Sequence, residues 1–139
     1  MSGKSRLFSD EWFEVFARNI NLNPAYRRAA SDWEGDLILY IRGDAESGNL
    51  RPGINRIAQL SLYHGECRGI KLLDKLPGGY FNYVIEGDAS TWENVLMGKM
   101  DIVTAILKGS LKVTGNMAKL MKYLEAAREL VKSAREVER

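Results

Sequence analysis

From Tyr80 to Met121 the chain is apolar and rich in methionine, and glycines at 98, 109 and 115 cut it into short pieces. No long helix survives such punctuation, so the segment must fold as strand, helix, helix, strand and the start of a further helix. Short helices separated by Gly98 and Gly109 pack incompletely on a sheet and leave room for a cavity. Met97, Met100, Met117 and Met121 fall in this region. Methionine is flexible and polarizable; it fills core gaps, and it also suits an adaptable apolar binding surface. The segment has neither cysteine nor histidine. It points to a container rather than a reaction centre.

The other elements follow from caps and periodicity. Ser9 caps a first helix, with Asp10 and Glu11 in its first turn and Trp12, Phe13, Phe16 and Ile20 at helical spacing. Asn23-Pro24 restarts a short helix carrying Tyr26, Ala29, Ala30 and Trp33. Strands are predicted at 36–42, 57–64, 66–72 and 80–86. Turns fall at His64-Gly65-Glu66 and Leu76-Pro77-Gly78-Gly79, and a loop runs from Gly43 to Gly53. Ser90 caps a helix that Gly98 stops, and Asp101 caps another, Ile102 to Lys108, that Gly109 ends. Leu111 to Thr114 reads as a last strand. Asn116 caps a long final helix with Met117, Leu120, Leu124, Ala127, Val131 and Ala134 in one apolar stripe. Its other face is charged, and its tail is expected to fray.

This order predicts an α+β fold with helices laid on a mostly antiparallel sheet. One domain over 1–139 is expected: two N-terminal helices over about 9–33, sheet and core over about 35–115, and the C-terminal helix over about 116–137.

The net charge of +2 argues for neither nucleic acid nor an anionic surface as the main partner. Arg51, Arg56, Arg68, Lys71, Lys75, Lys108 and Lys112 are scattered, as on a solvated surface. One cysteine forms no internal disulfide. The first residues hold no apolar run of signal-peptide length, no stretch approaches membrane-spanning length, and the chain ends without Ser-Lys-Leu, so a cytoplasmic protein is expected.

Catalytic candidates are few. His64 and Cys67 are three residues apart on a predicted hairpin, where they face opposite ways unless the turn is irregular. Ser61 lies in no nucleophile motif. A metal would need ligands beyond one His and one Cys, so no metal is expected. The glycine turns lack the phosphate-binding patterns.

The residues Phe81-x-Tyr83-x-Ile85-x-Gly87-Asp88, then Trp92-Glu93-x-x-Leu96-Met97-Gly98-Lys99-Met100-Asp101, then Ala105-Ile106-Leu107-x-Gly109-x-Leu111-Lys112-Val113-x-Gly115-Asn116-Met117, resemble the sterol carrier, type-two family of lipid-binding proteins. The likeness is nearly continuous from Trp92 to Leu124; the first seventy or so residues share only the element order. It implies an α+β sandwich, a five-stranded sheet with helices on one side, and an apolar tunnel between them for a fatty acyl, acyl-CoA, isoprenoid or sterol-like ligand. It implies no cofactor and no catalytic residue. Carried over by position, the tunnel lining is Leu96, Met97, Met100, Ile102, Ala105, Ile106, Val113, Met117, Leu120, Met121 and Leu124.

Three classes follow. The first is a lipid-binding or lipid-transfer protein with the helix after Asn116 as a lid, its lysines offering transient membrane-surface contact. The second is an accessory or assembly subunit that presents a lipid or CoA thioester to a partner enzyme. The third is a hydrolase using Cys67 and His64. The C-terminal helix, longer than in many members of the family, also offers a homodimer contact.

Overall fold

The computed structural model describes residues 6–77 and 83–137. Helix α1 (Asp10–Asn21) starts where Ser9 accepts from the Trp12 amide at 3.1 Å, and α2 (Pro24–Ala29) where Asn23 accepts from the Tyr26 amide at 3.0 Å. Strands β1 (Glu34–Arg42), β2 (Asn55–Tyr63) and β3 (Glu66–Leu73) follow as a meander. The β2–β3 turn places His64 at φ 49° and Gly65 at φ 82°, the two positive φ values of a tight hairpin. Next come β4 (Tyr83–Asp88), α3 (Ala89–Leu96), α4 (Ile102–Lys108) and β5 (Lys112–Gly115). Of the predicted 80–86 strand, residues 80–82 lie outside the described residues, as do Gly78 and Gly79 of the preceding turn.

The five strands lie in the order β3-β2-β1-β4-β5. The sheet is mixed, which corrects the mostly antiparallel expectation. Strand β4 runs parallel to β1, with Tyr83 opposite Leu37 and Asp88 opposite Arg42. Strand β3 points the same way as β1, and the chain then returns to lay β4 on the free edge of β1. The near-continuous apolar run Leu37-Ile38-Leu39-Tyr40-Ile41 fits a central strand buried on both faces. One face carries Leu37, Leu39, Ile41, Ala58, Leu60, Leu62, Tyr83 and Ile85, and the helices pack against it. On the other, Ile38, Ile57 and Val84 form a small cluster with Tyr40 and Leu73.

Two local expectations change. Ser90 does not cap α3. Its amide and hydroxyl instead donate to the Asp44 carboxylate at 3.0 and 2.6 Å, so the helix start is satisfied from the β1–β2 loop. The long final helix is broken into α5 (Met117–Leu120), a 3-10 turn over Met121–Tyr123, and α6 (Leu124–Arg135). The tighter turn seats Tyr123 edge-on against Trp33, with ring centroids 4.8 Å apart. Against the expected fraying of the tail, Val137 is buried.

Candidate functional site

Sheet and helices enclose a narrow apolar cavity of about 70 Å³. This replaces the expected tunnel: the space is smaller than the roughly 150 Å³ cavity that admits one benzene. Its floor is Leu37, Leu39, Ile41, Leu60, Leu62 and Ile85 of the sheet. Helix α1 contributes Trp12, Phe13 and Phe16; Tyr26, Ala30 and Trp33 line one side, and Trp92 and Leu96 the other. Helix α6 closes it with Ala126, Ala127, Leu130, Val131 and Ala134. The short alanines let this helix sit low on the core.

Polar contacts hold the closing segment at its margins. Asn19 donates to the Ser133 carbonyl at 3.1 Å, and Asn23 donates to the Ser133 hydroxyl at 3.0 Å and to Glu129. On the opposite margin Arg128 donates to both oxygens of Asp101, at 3.0 and 3.3 Å, and to Glu125 at 2.7 Å. The Arg128 guanidinium therefore holds the Asp101 carboxyl below its usual value. Asp101 is also the N-cap of α4, accepting from the Thr104 amide, so one carboxylate joins two helices. Lys119 donates to the Glu34 carbonyl at 3.1 Å, with its ammonium 5.0 Å from the Trp33 ring centroid.

The sequence-predicted lining divides. Leu96, Ile102 and Leu120 reach the cavity. Ala105 is buried behind it, and Met100, Ile106, Val113 and Leu124 pack, partly buried, against the same core. Met97, Met117 and Met121 stand outside, 49, 39 and 42% exposed. Most of the wall comes instead from α1, α2 and the sheet. Its signal was the aromatic spacing Trp12, Phe13, Phe16, Tyr26 and Trp33, readable as an ordinary buried helix face.

His64 and Cys67 are not brought together. The exposed His64 ring lies at the turn, stacked on Tyr63, with Nε2 2.6 Å from Glu34. Cys67 is buried on the helix side, its backbone clasped by Asn21 through bonds of 2.8 and 2.9 Å. Burial pushes the thiol pKa up, away from a nucleophilic thiolate. Ser61 sits in mid-strand opposite Asp36. No three His, Cys, Asp or Glu side chains come together in metal-binding fashion among the described residues. No helix among them is long and apolar enough to cross a membrane.

One polar atom in the cavity wall is unaccounted for. The indole of Trp33 donates to the Gly35 carbonyl at 2.9 Å and that of Trp92 to the Tyr40 carbonyl at 3.3 Å. The indole N–H of Trp12 is buried and has no partner among the described residues.

The model of the SCP-2 sterol transfer family matches residues 58–128. A sterol carrier protein 2 crystal structure is 40% identical, with 94% of this chain and 98% of that one covered at a TM-score of 0.81. A Thermus thermophilus protein described as possibly a sterol carrier protein is 39% identical, covering 97% and 92% at a TM-score of 0.80. Sterol carrier protein 2 from Yarrowia lipolytica, at 19% identity, covers 98% and 99% at a TM-score of 0.60 and shares the fold. No curated protein matches the sequence.

Proposed function

Because the chain belongs to the SCP-2 sterol transfer family, we propose that it carries a lipid whose apolar chain lies between the sheet and the helices. The observation that carries this reading is the apolar cavity, walled by the sheet and by every longer helix, with a closing helix held mainly at its edges. Each methylene moved from water into such a space contributes about 0.8 kcal/mol, so binding needs few polar contacts. A cavity of about 70 Å³ must open to admit a long chain. Helix α6 is the element to move, because among the described residues only bonds that involve a side chain and apolar packing hold it to the other elements of the core. The role needs no catalytic side chain.

Exposed Met117 and Met121, beside Lys119 and Lys122, form a surface suited to brief contact with an anionic membrane during exchange. Exposed Met97 and Leu107 favour, as a second reading, docking to a partner enzyme that receives the lipid. Native mass spectrometry with lipid extraction, followed by titration with a fluorescent fatty acid, tests the carrier role. Bound lipid or saturable uptake is expected; absence of both overturns it. A partner enzyme that co-purifies stably with a lipid-free protein would favour the second reading instead.

A further inference from the structure

Beside the N-terminus of α1 lies an open groove of about 620 Å³. Three guanidinium groups line it: Arg6, Arg51 and Arg56. Arg56 is paired with Asp10; Arg6 and Arg51 make no ion pair among the described residues. The groove also presents Ser9, Ser47 and Asn49, over apolar Leu7, Leu50 and Ile54. Its loop wall is fixed from behind: Glu93 accepts from Ser47 at 2.5 Å, Asn49 at 2.9 Å and the Gly48 amide at 3.3 Å. That carboxylate is thus engaged by the loop, and Asp10 by Arg56.

Phe8 belongs to the walls of both the groove and the apolar cavity. It is a one-residue partition, 2% exposed. Behind it the Trp12 ring meets the Phe8 ring edge-on at 5.6 Å. Trp12 lines the cavity, and its buried N–H has no acceptor among the described residues. A buried donor without a partner carries a desolvation cost that a ligand oxygen would relieve.

Resting on the lipid-carrier reading, we propose that the groove seats the phosphate-bearing head of a single-chain amphiphile. Its chain passes Phe8 into the cavity, and a carbonyl next to the head accepts from Trp12 Nε1. Two guanidinium groups with no ion pair among the described residues match a phosphate dianion better than a carboxylate. An apolar groove floor leading to an apolar cavity fits a molecule with both ends. The acceptor-seeking N–H one ring behind the partition places the carbonyl at the head-to-chain junction.

Four probes separate the parts: palmitoyl lysophosphatidate, its hexadecyl ether analogue without the carbonyl, hexadecanol, and inorganic phosphate. The Arg6→Gln/Arg51→Gln variant should weaken both phosphate amphiphiles about tenfold while hexadecanol binds as before. Raised ionic strength should reproduce that loss. Trp12→Phe should weaken the ester more than the ether, so that the ester's advantage over the ether, present in the wild type, disappears; an advantage kept in full overturns the carbonyl contact. Unaltered affinity of the arginine variant for both amphiphiles, with hexadecanol still bound, overturns the head-group site and leaves the lipid reading standing. Inorganic phosphate competing as strongly as the amphiphile makes the groove a free-anion site and overturns the proposal. No binding of hexadecanol or of either amphiphile overturns the lipid reading itself.

Discussion

Side chains of one type play different parts here according to what they touch. Of the three tryptophans, Trp33 and Trp92 spend their indole N–H on backbone carbonyls, whereas that of Trp12, buried, has no partner among the described residues. Gly43 matters through the space it leaves open. A β-carbon there would come within 1.9 Å of the Arg51 carbonyl and 2.3 Å of that of Ile54, and backbone cannot step aside as a side chain can. Gly43→Ala should therefore cost about 2 kcal/mol or more in chemical denaturation. It should also disturb the loop that carries Asn49 and Arg51. Cys67 gives a second residue-level expectation. With the thiol buried and its pKa raised, a thiol-specific reagent at neutral pH should label it slowly in the native protein and rapidly in denaturant.

Among the elements, Asp101 is the joint between α4 and α6. Asp101→Ala removes an N-cap and should lower stability by about 1 kcal/mol in denaturant melts. Asp101→Asn keeps the capping oxygen but loses the ion pair, so it should cost less, because the pair is half-exposed. The folded-state pKa of Asp101 is depressed, so its contribution is present above the ordinary value of 3.8 and lost as acid takes the pH below it. Wild-type stability should fall more than that of Asp101→Asn over this acid range, as thermal melts at stepped pH would show.

Much of the element plan was legible in the sequence, because local chemistry sets helix ends. Ser9, Asn23, Asp101 and Asn116 cap as read, and Gly109 ends α4 at φ 81°. What escaped depends on distant partners. Asp44, 46 residues before Ser90, takes over the α3 start. Trp33 draws Tyr123 inward and the helix breaks there. The parallel β1–β4 pair depends on which edge of β1 the returning strand takes, and periodicity within one strand is blind to that. Leu96, Ile102 and Leu120 of the expected lining do reach the cavity, but the methionine clue led outward: three of the four stand in solvent. Local apolarity does not say which face of a short helix turns inward.

In the whole molecule, α6 rests on α1, α2, α3 and α4 at once. If α6 is the lid proposed above, loosening one edge should ease its outward swing. Arg128→Gln should therefore speed fluorescent fatty acid uptake in stopped-flow mixing with little change in the final amount bound, since Arg128 does not line the cavity. Equal uptake rates in variant and wild type would mean that the chain enters elsewhere, with the Phe8 partition the next place to look.

The bond from Asn19 to Ser133 joins residues 114 apart in sequence. Contacts of such separation close a very large loop and reward the chain only once most of it is in place. Docking of α6 should thus come late in folding, after the transition state. Substitutions at Ala127 or Ala134 should accordingly speed unfolding while leaving the refolding limb of a chevron nearly unmoved. The step that completes the fold is then the step that seals the cavity, and if α6 is the proposed lid, the kinetic barrier to losing the structure and the barrier to admitting a lipid share their first movement.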